Sequence, residues 1–215
     1  MKTTALILSG GSSSRMKGTD KQFALIGGVP VIAKSLLAFQ NSEDVDDIIV
    51  AAKEESIKEI EALSEKYGIT KLRAVVKGGK SRTESAFNAF KAASECEIIL
   101  VHDGARPFVE GDLIGRVKNA AVEYGCAIPV IPVKDTIKVT ENGFVKSTPD
   151  RSTLAAVQTP QGFRYEIYEK IISEDIEATD DSGLAEKKGY RVKTVEGSEK
   201  NIKITVPEDL AAVQK

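Results

Sequence analysis

Residues 4–16 read Thr-Ala-Leu-Ile-Leu-Ser-Gly-Gly-Ser-Ser-Ser-Arg-Met, an apolar run that passes directly into a loop of Gly and Ser. A run apolar at successive positions, rather than at alternate ones, predicts a strand buried on both faces of a largely parallel sheet. Four more runs of this kind follow at Ile48–Ala52, Leu72–Val76, Ile98–Val101 and Ala127–Val133. Helical patterns lie between them, over Val31–Phe39, Glu54–Tyr67, Arg82–Ala93 and Asp112–Tyr124, with Gly68 and Gly125 at helix C-terminal positions. Ser81-Arg82-Thr83-Glu84 has the spacing of a capping box. Thr205-Val206-Pro207-Glu208 repeats the signal, with proline in the first turn of a last helix. The alternation of strand and helix predicts a doubly wound, three-layer α/β domain over residues 1–215.

The rhythm breaks at residues 134–157. Ile137–Thr140 and Phe144–Lys146 alternate on either side of Asn142-Gly143, which predicts a β-hairpin. An inserted hairpin is either a surface flap or an arm that reaches a partner subunit.

The chain has 215 residues, 41% of them hydrophobic and 29% charged, and a formal net charge of −2. That length suffices to bury roughly 70% of the unfolded surface, and the charge balance advertises no nucleic-acid partner. Anionic ligands must be met by locally placed Arg and Lys. Cys96 and Cys126 are too few for a disulfide framework, and no Cys/His spacing suggests zinc. With neither a signal-peptide h-region nor a membrane-length apolar run, the expected location is the cytoplasm.

Four stretches carry candidate chemistry. In the first, the backbone at Ser9, Gly10 and Gly11 can approach a polyphosphate closely, and Arg15 and Lys21 add mobile cations; alone, such a loop is equally a solvated connection. Two rival phosphate loops fail on spacing. A P-loop ending at Gly79-Lys80-Ser81 requires glycine where Ala74 stands, and a dinucleotide fingerprint from Gly11 requires glycine at Ser13 and Met16. In the second, Val101-His102-Asp103-Gly104-Ala105-Arg106-Pro107 ends a strand, where open α/β sheets form their ligand crevice. Asp103 is suited to hold Mg²⁺ and Arg106 to grip a phosphate; the competing reading is an Asp–Arg pair that tidies a loop. His102, the single histidine, has no nearby nucleophile to activate and reads as structural. The third stretch, Gly78–Ser85, offers a flat base a close approach, with Ser85 at its polar edge, although a capped helix alone explains it. The fourth is scattered: Arg151, Thr179 with Asp180 and Asp181, and Asn201-Ile202-Lys203-Ile204-Thr205, the groups a phosphorylated second substrate requires.

In this order and spacing the motifs resemble the 2-C-methyl-D-erythritol 4-phosphate cytidylyltransferase family of non-mevalonate isoprenoid biosynthesis. The likeness runs from Leu8-Ser9-Gly10-Gly11 through Lys21-Gln22, Gly78-Gly79, His102–Pro107, Asp135-Thr136, Asp150-Arg151 and Gln158-Thr159-Pro160-Gln161 to Asn201–Thr205. It implies a Rossmann-like nucleotidyltransferase fold and transfer of CMP from CTP to a polyol phosphate. It also implies that Arg15 and Lys21 neutralise the α-phosphate region and the leaving pyrophosphate. Ser9, Gly10 and Gly11 would cradle the nucleotide, Gly79, Lys80 and Ser85 would select cytosine, and Asp103 would ligate Mg²⁺. Arg106, Thr136, Thr179, Lys203 and Arg151 would orient the acceptor. The hairpin would be an arm that carries Arg151 into the other subunit of a homodimer. Asp20, Ala155 and Lys200 depart from the family's pattern, where proline, an aromatic and an acidic residue are frequent. A ribitol 5-phosphate cytidylyltransferase and a noncatalytic nucleotide-binding relative are the alternatives.

Overall fold

The computed structural model of the chain describes residues 1–11, 20–94, 96–173 and 178–213. In chain order its first half holds β1 (Thr3–Leu8), the small pair β2 (Leu25–Ile26) and β3 (Val29–Pro30), α1 (Val31–Gln40), β4 (Asp47–Ala52), α2 (Ile57–Lys66), β5 (Leu72–Lys77), α3 (Arg82–Lys91) and β6 (Ile98–Asp103). The second half holds α4 (Gly111–Tyr124), β7 (Cys126–Pro132), β8 (Val139–Glu141), β9 (Phe144–Ser147), β10 (Ala155–Val157), β11 (Gln161–Arg164), α5 (Tyr165–Ile171), α6 (Asp181–Lys187), β12 (Lys193–Glu196) and α7 (Pro207–Val213).

The main sheet runs β10-β7-β11-β6-β1-β4-β5, with β12 off this path and paired parallel to β7. β5, β4, β1 and β6 are mutually parallel. All six residues of β1, β4 and β6 are buried, and their alternate side chains feed two separate cores. Ala5, Ile7, Ile48, Val50, Ile98 and Leu100 face α1, α2 and α4. Leu6, Leu8, Ile49, Ala51, Ile99 and Val101 face α3, α5 and α6. Burial on both faces is the reason these runs read as continuous rather than alternating.

The expected strands and helices are present with ends shifted by a few residues, and a short 3₁₀ turn at Glu54–Ser56 precedes α2. The sequence reading did not anticipate β2, β3, β10, β11, α5, α6 or β12, and of these β11 changes the sheet most. It runs antiparallel between β6 and β7, pairing Phe163 with Ile99 on one side and with Cys126 on the other. At four residues it is too short for periodicity to declare. The Asn142-Gly143 hairpin forms as expected: both residues have positive φ, 50° and 83°, as a two-residue turn joining right-twisted strands requires. β8 and β9 pair only with each other, and every residue in them is exposed. Among the described residues no helix is long and apolar enough to cross a membrane.

From β1 the chain builds outward to β4 and β5, then crosses back to place β6 on the other side of β1. The carboxyl ends of β1 and β6 lie side by side there, where open α/β sheets form their ligand crevice.

Candidate active site

The loops after β1, β4, β5 and β6 are stitched together by backbone bonds that continue the sheet past its strands. Ser9 N–H donates to Ala51 O at 2.8 Å, Gly78 N–H to Ala52 O at 2.7 Å and Gly104 N–H to Leu8 O at 2.9 Å. Above them lies a cavity of about 520 Å³ lined by Gly10, Gly11, Lys21, Gly79, Lys80 and Ser85, together with Arg82, Asp103 and Lys203. Ser9 is buried beneath it, with Oγ donating to Ala51 O at 3.1 Å. Arg15 lies outside the described residues.

The Gly78–Ser85 loop is held by its own helix. Ser81 Oγ accepts from Glu84 N–H at 3.0 Å, the expected cap. The Glu84 carboxylate accepts from Lys80 N–H at 2.6 Å rather than from Ser81. A Cβ on residue 79 would lie 2.2 Å from Glu84 Cγ, so the capping contact demands Gly79 whether or not a base is bound. Ser85 Oγ donates to Ser81 O at 2.8 Å and accepts from Gly79 N–H at 3.0 Å, which leaves one lone pair toward the cavity. Asp20, where the family favours proline, accepts from Gln22 N–H at 3.1 Å and from Lys53 Nζ at 2.9 Å.

A second cavity, of about 410 Å³, is lined by Arg106, Thr159, Gln161 and Thr179, and again by Arg82, Asp103 and Lys203. The two cavities meet at those three side chains. The Asp103 carboxylate is the hub: Lys203 Nζ stands 2.8 Å from Oδ2, Arg106 Nε 3.6 Å from Oδ2 and Arg82 Nε 3.5 Å from Oδ1. Burial pushes this carboxyl up, but the charges of Arg82, Lys203 and Arg106 outweigh burial and hold it well below the usual carboxylate range. Asp103 is therefore ionised at any pH near neutral.

The hub is held rigidly by a buried chain of hydrogen bonds through His102. Asp103 N–H donates to Thr159 Oγ1 at 3.1 Å, which leaves that hydroxyl to donate to His102 Nδ1 at 3.0 Å. His102 Nε2 then donates to Arg106 O at 3.2 Å. The partners define the tautomer. Burial pulls the imidazole down to about 3, and Phe39 packs on its ring at 4.8 Å. His102 is structural, as its sequence context suggested. Asn201 Nδ2 donates to Thr159 O at 2.8 Å and Arg106 Nη1 to Asn201 O at 2.7 Å, so the motif at 102–107 and the strip at 201–205 form one unit.

Arg82 is the residue that sequence reasoning missed. It is the first residue of α3, where a helix dipole disfavours a cation. That misfit was the available signal: an arginine at such a position needs another partner. Its Nη1 donates to Asp181, whose second oxygen accepts from Tyr168 Oη at 2.8 Å. Burial lowers the Arg82 guanidinium's proton affinity, but Asp181 and Asp103 more than restore it.

Thr136 and Arg151 line neither of these two cavities. Both are exposed within residues 134–157, and Arg151 Nη1 donates to Lys134 O at 2.6 Å. Among the described residues, no three His, Cys, Asp or Glu side chains group as a metal centre. Asp103 is the carboxylate that faces both cavities, and a divalent cation held there would have to take its other ligands from phosphate oxygens.

A family profile described as 2-C-methyl-D-erythritol 4-phosphate cytidylyltransferase (IspD) matches residues 3–215. Proteins of that name from Geobacillus thermodenitrificans and Bacillus mycoides are 42% and 44% identical to this chain, covering 98% and 96% of it and 94% of their own lengths. The crystal structure of the Thermus thermophilus protein of that name superposes with a TM-score of 0.82 at 32% identity, over 100% of this chain and 98% of its own. A 4-diphosphocytidyl-2C-methyl-D-erythritol synthase structure from Anaerococcus prevotii gives 0.85 at 31% identity, over 99% and 94%. With fold, motif order and full-length similarity in agreement, this chain belongs to the 2-C-methyl-D-erythritol 4-phosphate cytidylyltransferase family.

Proposed function

We propose that this chain, as a cytidylyltransferase, moves CMP from CTP to 2-C-methyl-D-erythritol 4-phosphate and releases pyrophosphate and CDP-methylerythritol. The observation that carries this reading is the seam: two cavities, one beneath glycine loops and one lined by Arg106 and Thr179, share a wall of Arg82, Asp103 and Lys203. A nucleotide in the first and a polyol phosphate in the second bring two phosphates to that wall.

The acceptor phosphate is already ionised near neutral pH, so its oxygen attacks the α-phosphorus without a general base. The bond to the bridging oxygen of pyrophosphate breaks as the new P–O bond forms. Two polyanions repel, so catalysis is positioning plus electrostatic stabilisation of the α-phosphoryl charge. In this reading Arg15 and Lys21 neutralise the triphosphate, the backbone at Gly10 and Gly11 faces it, and Gly79, Lys80 and Ser85 meet the base. Arg106, Thr179 and Lys203 orient the acceptor. Mg²⁺ supplies further charge neutralisation when bound, and Asp103 is its protein ligand.

Residues 1–215 act as one domain, with 134–157 as an arm exchanged within a homodimer, so that Thr136 and Arg151 serve the neighbour's acceptor cavity. The exposed Ile137, Val139, Phe144 and Val145 support an arm with a partner surface. A cytoplasmic setting completes the reading, since CTP is available there.

The test is pyrophosphate release from CTP with methylerythritol phosphate and with ribitol 5-phosphate, with ATP, GTP and UTP as controls. Release with CTP and methylerythritol phosphate is expected. Preference for ribitol 5-phosphate would reassign the acceptor, and no release with any acceptor would leave a nucleotide-binding relative.

A further inference from the structure

Three cations and two carboxylates meet at the seam, and the cations are held in different ways. Arg82 is anchored by Asp181, which is 1% exposed and braced by Tyr168. Arg106 is anchored by the Asn201 carbonyl. Each guanidinium nevertheless keeps a buried N–H, Arg82 Nη2 and Arg106 Nε, with no hydrogen-bond partner among the described residues. Lys203 differs: its side chain is 39% exposed, and its Nζ makes the closest of the three cationic approaches to Asp103.

A buried donor without an acceptor is costly. At 3.5 and 3.6 Å, the Arg82 and Arg106 contacts with Asp103 are ion pairs too long to be good hydrogen bonds. Both guanidinium groups therefore have unused capacity for the carboxylate that Lys203 now engages. The charges point the same way. Two anchored arginines and Lys203 face the one Asp103 carboxylate, so the departure of Lys203 still leaves that carboxylate with two cations beside it.

We propose that Arg82 is a positioning residue for the reaction. Anchored by Asp181 and Tyr168, it retains Asp103 while Lys203 exchanges that carboxylate for the acceptor phosphate. This inference rests on the function proposed above. Without Arg82, Asp103 keeps Lys203 and the acceptor loses its lysine.

Arg82→Met alone strands Asp181 as a buried charge, so the working variant is Arg82→Met with Asp181→Asn, its melting temperature and circular dichroism compared with the unsubstituted protein. KM for the acceptor should rise about tenfold, with a smaller change in kcat and in KM for CTP. Combining the pair with Lys203→Ala should cost little beyond Lys203→Ala itself, because both lesions remove one lysine–phosphate contact. Additive losses overturn the proposal. Should the double variant fail to fold, Arg82→Lys replaces it, since one ammonium cannot serve both carboxylates; the same non-additivity is expected.

A second measurement does not depend on turnover. In protein labelled with ¹³C-lysine, the Lys203 Cε resonance, assigned by its loss in Lys203→Ala, should respond to inorganic phosphate in the unsubstituted protein and not in the Arg82 variant. Equal responses in the two proteins, or none in either, overturn the role of Arg82. Absence of pyrophosphate release by the unsubstituted protein instead overturns the proposed reaction.

Discussion

Asp103 and Phe144 stand at opposite extremes of the molecule. Asp103 is 8% exposed, at the end of a central strand, with its backbone and carboxylate engaged by residues as distant in sequence as Thr159 and Lys203. Phe144, beside the turn of the arm, is 79% exposed, and its strand pairs only with the other strand of the hairpin. Both regions come from clear local signals, a buried strand running into a loop and a hairpin around Asn-Gly. One is completed by contacts within the chain. The other presents Ile137, Val139, Phe144 and Val145 to solvent, the side chains that the proposed exchange between subunits would cover. A region whose chemistry closes on itself can be read from one chain, whereas an arm proposed to serve a partner would show only its half.

The largest effect that would break this comparison belongs to the closed region. Lys21→Ala should lower kcat by about 10²–10³, the usual loss for one preorganised transition-state contact, measured as pyrophosphate release at saturating CTP and acceptor. An unchanged kcat would remove Lys21 from the mechanism. The open region is sharpened by complementation. Arg151→Ala should be severely impaired alone, yet mixing it with Lys21→Ala should recover activity far above either parent, since a mixed dimer carries one site with neither lesion. No recovery on mixing would keep Arg151 in its own subunit's business and end the exchange reading.

Phe144→Asp should shift the protein from dimer to monomer in sedimentation while leaving its far-ultraviolet circular dichroism unchanged. A wild-type protein that already sediments as a monomer would refute the arm's role outright. The smallest effect concerns His102. Its unfolded imidazole takes up a proton below about pH 6.5, whereas the folded one, held to about 3 by burial, does not. Across that window the unfolded state binds more protons, so stability falls as pH falls, by up to about 1.4 kcal/mol per unit, or about 2 kcal/mol at pH 5. Urea unfolding of His102→Gln should show a shallower loss between pH 7 and 5; equal slopes would mean that the imidazole is charged in the fold.

Much of the site was legible because its elements are local. The strand-to-glycine transition at Leu8–Gly11, the Ser81 cap and the Asn142-Gly143 turn are each decided within a few residues, by burial period, backbone conformation and short-range hydrogen bonding. The last helix shows how local reading can miss in detail. The expected start at Thr205–Pro207 is right, but the capping acceptor is Asp209, which takes Thr205 N–H and Val206 N–H at 2.7 and 2.9 Å.

Sequence alone therefore settled the α/β alternation, the double burial of the central strands, the hairpin, and through its motifs the family. The tertiary structure decided what no short window contains. It threaded β11 antiparallel between β6 and β7, made His102 a buried brace, and brought Arg82, Arg106 and Lys203 around one carboxylate. These outcomes depend on pairing and burial between segments far apart in sequence, where the stabilising term is water excluded and charge compensated on folding.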